Sequence, residues 1–301
     1  MKEASAFAPG HITGLFQICD QPEDPLYKGS RGSGVSISRG VTTRVKAESA
    51  EKTAYTVKIN GDFVSDAFVS ENVIGKMIRN LSEPCVIHVE HELDIPMTAG
   101  FGSSGEGALT LSLALNEALD LGYSFMDAAR VAHIAEIECK TGLGTVFAAV
   151  EGGFGVLVKA GGPGIGEAIH YGNSHDLRVI YVHFGPIQTK EILSNPELRE
   201  KINELGGGYV DELHRELTPE RFMSYSRRFT EHVGLVTPRL RRVFDAADPE
   251  GYTFTMAMFG EVAFTLQHKE DVEAILGLLR ERVADAYPVV CGVDSRGAVL
   301  F

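Results

Sequence analysis

Apolar residues recur along this chain at two spacings, one of a strand and one of a helix. In Val41 to Glu48 and Ala54 to Ile59, apolar and polar positions alternate and β-branched residues are frequent. That pattern predicts two strands joined by a polar turn as a hairpin, entered from a Gly-rich opening at Gly29 to Gly40. Cys85 to Glu90 predicts a short strand behind Pro84. In Glu106 to Leu119 the apolar positions Ala108, Leu111, Leu115 and Leu119 lie three or four apart, on one helical face. Val69 to Leu81 and Phe125 to Cys139 read as further helices. Ser124 stands as N-cap of the latter, with Asp127 in its first turn, where a carboxylate meets the positive end of the helix dipole.

The apolar stretch Ala148 to Lys159 and the glycine run Gly161 to Gly166 close a first lobe, 1–166, and the glycines mark its boundary with a second, 167–301. Val179 to Phe184 predicts a buried strand, and polar, charge-balanced helices are expected between Thr189 and Ala247. Thr253 to Gln267 reads as two strands meeting near Gly260, Lys269 to Ala286 as an amphipathic helix, and Tyr287 to Val293 as a last strand. The expected class is α+β in two lobes. No repeat or low-complexity segment interrupts it.

The chain has 301 residues, 44% of them hydrophobic, enough for one large domain or two fused lobes. Its 28 Lys plus Arg against 41 Asp plus Glu give a formal charge of -13, which argues against nucleic acid as a partner. An anionic small molecule remains compatible, provided a local cluster of donors opposes the global field. The four cysteines form no paired motif, the N-terminus lacks an apolar core, and no apolar run approaches the ~18 residues of a membrane span. The expectation is a cytoplasmic protein with no membrane partner. The apolar strands of the second lobe leave an edge for a homodimer.

Pro96 to Gly105 (PMTAGFGSSG) opens directly onto a predicted helix. Glycines let backbone approach an anion, the first amides of a helix point at its oxygens, and serine hydroxyls can complete the cage or ligate a cation. A bare connection ending in a serine N-cap would explain Ser103 or Ser104, but not three glycines bracketing both. Gly100, Gly102 and Gly105 also satisfy G-x-G-x-x-G, with Asp120 twenty residues on. A dinucleotide site, however, requires a second strand before that acid. No Gly-Lys-Ser/Thr follows, which excludes a P-loop.

Three motifs in order resemble the galactokinase, homoserine kinase, mevalonate kinase and phosphomevalonate kinase (GHMP) superfamily: Phe7-Ala8-Pro9-Gly10-His11-Ile12-Thr13-Gly14, the Pro96–Gly105 loop, and Met256 to Glu261. The resemblance implies a ribosomal-protein-like N-terminal lobe and a ferredoxin-like C-terminal lobe, with ATP and magnesium as cofactors. It places ATP at Pro96, Gly100, Phe101, Gly102, Ser103, Ser104, Gly105 and Glu106. It also implies Ser104 and Glu136 as magnesium ligands, with Glu138 behind Glu136. The PGHITG opening, Gly29 to Ser36 and Thr141 to Gly144 resemble archaeal kinases of pantoate within that superfamily, which implies phosphorylation of the primary hydroxyl of this hydroxy acid in coenzyme A biosynthesis. Acceptors of homoserine, shikimate or mevalonate type, or a non-catalytic ATP-binding regulator, are the alternatives.

The family often pairs a lysine in its first motif with an aspartate in a later turn. Here those positions are His11 and Thr145, so a carboxylate base is missing. The expected catalytic set is His11, Ser104 and Thr145. Arg31 is the first choice to bind the acceptor carboxylate and Arg39 the second, since a guanidinium offers a bidentate fork. Thr13, Ser33, Ser36, Met258 and Gly260 are expected at the acceptor, with Lys140 and Thr141 beside the turn.

Overall fold

A computed structural model describes residues 2–186 and 195–301. The stretch 189–194, at the head of the expected helical region, lies outside the described residues. Two long strands, β1 (Lys2–Cys19) and β2 (Gly29–Ser49), run antiparallel along nearly their whole length. The Gly-rich opening is therefore strand. Small residues there let neighbouring backbone approach closely: a Cβ on Gly32 would stand 2.8 Å from the Leu15 carbonyl oxygen.

The expected hairpin does not form. Strand β5 (Cys85–Leu93) lies between its halves, antiparallel to β2 and parallel to β3 (Ala54–Ile59), which also pairs with β4 (Asp62–Phe63). Both halves alternate, but alternation identifies strands without identifying their partners. The crossover from β3 to β5 carries helix α1 (Phe68–Met77), as a parallel pairing requires.

Helix α2 (Ser103–Leu119) packs on one face of this sheet, and α3 (Phe125–Cys139) packs against α2 and α1. The Ser124 hydroxyl accepts from the Asp127 amide, the expected cap. Helix α2 begins three residues earlier than its apolar face suggested, because Ser103 and Ser104 of the Gly/Ser loop form its first turn. The apolar stretch 148–159 is divided between α4 (Thr145–Glu151) and β6 (Phe154–Lys159).

Strand β7 (Glu167–His170) pairs with β6, which pairs with β2, so the sheet crosses the boundary expected at residue 166. The glycine run is a turn between paired strands. The second lobe is a four-stranded antiparallel sheet of β8 (Leu177–Pro186), β9 (Thr255–Met256), β10 (Gly260–His268) and β11 (Val289–Gly292), in the order β11-β8-β10-β9. Helices α6 (Pro219–Val233) and α7 (Pro238–Ala247) pack on it and α8 (Val272–Arg282) packs on α7, whereas α5 (Pro196–Arg215) packs on β1, β2 and β6 of the first sheet and on α6. The expected last strand is followed by another, β12 (Val299–Leu300), which returns to β1.

Two hydrophobic clusters result. Ala4, Ala6 and Ala8 of β1 join the first with α2 and α3; Ile12, Leu15, Phe16 and Ile18 of the same strand join the second with the C-terminal sheet and helices. Under α2, buried His91 is hydrogen-bonded through Nδ1 to Thr43 Oγ1 at 2.7 Å and through Nε2 to Ser70 Oγ at 3.1 Å. Among the described residues no helix is long and apolar enough to cross a membrane.

Candidate active site

The loop before α2 is held in left-handed backbone at Gly100 (φ 80°) and Gly102 (φ 78°). At Gly102 a side chain is also excluded by space, since a Cβ would stand 2.2 Å from Thr145 Cγ2 and 2.5 Å from Glu106 Oε1. Helix α2 has no side-chain cap, so the amides of its first turn and its dipole remain directed at the loop. The second lobe closes on the same loop: a Cβ on Gly260 would lie 1.8 Å from the Ala99 carbonyl oxygen, and the Met258 amide donates to the Thr13 carbonyl at 3.0 Å.

These contacts enclose a cleft of about 660 Å³, a volume suited to a small-molecule ligand. Of the loop residues singled out from sequence, Gly100, Gly102, Ser103 and Ser104 line it. Pro96, Gly105 and Glu106 do not, and Phe101 turns its ring into the core, edge-on to Tyr181 at 4.8 Å between centroids. His11, Thr13, Ser33, Thr145 and Met258 line the cleft, as do Lys140 and Thr141. Ser36 stands behind His11, its hydroxyl 3.1 Å from Nδ1 of that ring. Gly260 forms the junction described above and not the lining.

The two arginines chosen for an acceptor carboxylate are elsewhere. Arg31 Nε donates to the Val158 carbonyl at 2.8 Å, one terminal nitrogen donates to Gln17 Oε1 at 3.1 Å, and the other is paired with Asp211 of α5. Because Arg31 belongs to a strand, its side chain points away from the face that Ser30 and Gly32 present to the cleft. Arg39 is paired with Asp94 at 3.2 Å on the exposed surface. Reading 29–36 as strand would have put Ser30 in the cleft and Arg31 out of it. The lining residues Phe16, Phe68, Leu157 and Phe259 left no signal beyond being apolar.

Two carboxylates lie buried behind the loop. Glu106 Oε1 accepts from the His11 amide at 3.1 Å, while Oε2 has no partner. Burial, with the Glu136 charge adding to it, raises the Glu106 carboxyl well above the usual carboxylate range. Burial pushes Glu136 up to about 7, opposed by bonds from the Thr145 hydroxyl and from the amides of Thr145 and Val146 at the start of α4. The Val146 contact is 3.4 Å. Glu138 points outward to Lys76 at 2.8 Å. Burial lowers the His11 imidazole to about 4, so it is neutral near pH 7.

A family model of the GHMP kinases N terminal domain matches residues 70–153. The pantoate kinase of Methanocaldococcus jannaschii is 33% identical over 95% of this chain and 99% of its own. That of Thermococcus kodakarensis is 34% identical over 92% of this chain and 91% of its own. Among solved structures, a phosphotransferase related to the CoA biosynthesis pathway superposes with a TM-score of 0.90 at 30% identity, covering 99% of this chain and 98% of that one. A Staphylococcus aureus mevalonate diphosphate decarboxylase, at TM-score 0.75 and 17% identity over 100% of this chain and 98% of its own, shares the fold.

Proposed function

The chain belongs to the GHMP kinase family, and on that footing we propose that it transfers the γ-phosphoryl group of ATP to the primary hydroxyl of pantoate, giving 4-phosphopantoate for coenzyme A biosynthesis. The observation that carries this reading is identity of 33% with a pantoate kinase along 95% of the chain, which takes in both lobes.

Phosphoryl transfer needs positioning and charge neutralisation more than covalent help from the protein. The amides at the start of α2, with Gly100 and Gly102 admitting close approach, hold the phosphate tail of ATP. The Ser103 hydroxyl adds a donor. The acceptor lies among His11, Thr13, Ser33 and Met258. Its hydroxyl oxygen forms the new bond to the γ-phosphorus as the bond from that phosphorus to the β,γ-bridging oxygen breaks, leaving ADP, and the hydroxyl proton is released.

No carboxylate at the turn takes that proton, because Thr145 occupies the position and donates its own hydroxyl to Glu136. A His11 imidazole at about 4 is a weak base at neutral pH. Its ring, fixed by Ser36, orients the hydroxyl, and the proton leaves late in a loose transfer.

Magnesium accepts hard oxygen ligands, and the residues fit it. Ser104 on the cleft wall and Glu136 behind Gly142 and Thr145 supply such oxygens. The unpartnered Oε2 of Glu106 and two buried carboxylates with no cation paired to them among the described residues call for a counter-charge. When bound, magnesium neutralises phosphate charge as the transfer proceeds.

The test is ADP release by purified protein with magnesium, across pantoate, homoserine, shikimate and mevalonate, with identification of the phosphorylated product. Turnover with pantoate alone is expected. Turnover on another acceptor would reassign the substrate. ATP binding without any turnover would favour the regulatory alternative that the changed His11 and Thr145 positions motivate.

A further inference from the structure

Every other positive charge expected at the cleft has proved to be engaged elsewhere, which leaves one. Lys140 is the only permanently charged side chain lining the cleft among the described residues. It is exposed, and no carboxylate among the described residues is paired with it, whereas nearby Lys76 is held by Glu138 at 2.8 Å. Its place is fixed by backbone. Lys140 caps the end of α3 in left-handed conformation (φ 56°, ψ 38°), with its amide donating to the carbonyls of Glu136 and Ile137. Glycine is the usual residue at such a position, so lysine there carries a side chain at some conformational cost.

We propose that Lys140 grips the β- and γ-phosphates of ATP and supplies the positive charge that the first-motif position, occupied here by His11, does not. The inference rests on the kinase reading above and names a further catalytic residue for it.

Location decides between the two anions that enter the cleft. Cys139 Sγ donates to the Phe68 carbonyl at 3.8 Å, so the end of α3 abuts the start of α1, and Phe68 lines the same cleft. Lys140 therefore stands at the end walled by α1 and α3. His11, Thr13 and Met258, which form the acceptor end, belong to β1 and to the 256–260 segment that hydrogen-bonds to it. Electrostatics adds to this. The chain is strongly acidic. A polyphosphate seated there needs a cation from the protein as well as from the metal, and an ammonium on a flexible stem is a common phosphate partner.

The decisive experiment compares wild type, Lys140→Ala and Lys140→Arg for calorimetric binding of ATP and of AMP with magnesium, and for kcat and KM toward ATP and pantoate. Loss of a charge-assisted phosphate contact corresponds to about 10- to 100-fold in affinity. Lys140→Ala should weaken ATP binding and raise KM for ATP by that factor, leave AMP binding within about twofold, and keep the wild-type melting temperature. Lys140→Arg should recover most of the loss. Unchanged ATP affinity in Lys140→Ala, or a rise confined to KM for pantoate, would overturn the assignment. Wild-type protein that binds ATP but leaves pantoate untouched would instead remove the acceptor reading, and the binding comparison would still decide on Lys140.

Discussion

The His11 amide is shared between two acceptors: the Phe101 carbonyl at 2.9 Å and the Glu106 carboxylate at 3.1 Å. The first strand is thus tied both to the loop before α2 and to the helix that follows it. Histidine at this position resumes pairing, opposite Ser36, immediately after a shift of register between Pro9 and His11. The ring lines the cleft while the backbone anchors the loop.

That arrangement separates two roles of His11. An orienting imidazole predicts that His11→Ala loses well under ~100-fold in kcat, the lower limit expected of a general base. Because burial lowers the ring to about 4, kcat/KM measured from pH 5.5 to 8 should show no inflection that disappears in the variant. A larger loss together with a vanished inflection would make His11 the base.

The metal assignment can be read without turnover. Magnesium at about tenfold above its Kd stabilises a protein by roughly 1.4 kcal/mol, or about 2–4 °C for a chain of this size. Wild type should gain that shift in melting temperature on addition of magnesium, and Ser104→Ala and Glu136→Gln should not. Equal shifts in all three would remove both residues from the metal site.

Acid sensitivity follows from a buried histidine away from the cleft. Burial lowers His91 from 6.5 to about 4, so between these values the unfolded chain binds more protons than the folded one. The stability from His91 is complete above pH 6.5 and is lost as pH falls toward 4, about 3 kcal/mol at most. Urea unfolding at pH 7 and pH 4.5 should show a smaller drop for His91→Gln than for wild type. Equal drops would show that the ring titrates normally in the fold.

Arg31 provides the opposite control. Its guanidinium bridges β2 to α5 and leaves the cleft untouched, so Arg31→Ala should keep KM for pantoate within about twofold and cost roughly 1 kcal/mol of stability, the scale of a partly exposed ion pair with its hydrogen bonds. A tenfold rise in KM alone would return it to the acceptor site.

What was legible in the sequence depended on how local the signal was. Helix α3 and its Ser124 cap were readable to the residue, because helix periodicity and capping involve neighbours within four positions. The loop before α2 was readable as a site of special backbone, because glycine spacing reports a backbone requirement that Gly100 and Gly102 meet in left-handed conformation. Partnering was not, since β5 comes between the halves of the expected hairpin and nothing local in Val41 to Ile59 records it. The misplacement of Arg31 has the same origin: side-chain direction follows from strand geometry, and a Gly-rich segment does not announce itself as strand. Glu106 was selected as part of the loop, yet only the folded chain shows that it lies beneath the loop and not in the cleft.

Strand β1 also determines how the molecule comes apart. Its first residues are interior to one hydrophobic cluster and its last residues to the other, and its pairing to β2 resumes after each of two register shifts, so the strand spans both clusters. The two halves should therefore unfold in a single cooperative transition, and residues 1–166 expressed by themselves would present Ile12, Leu15, Phe16 and Ile18 to water and aggregate.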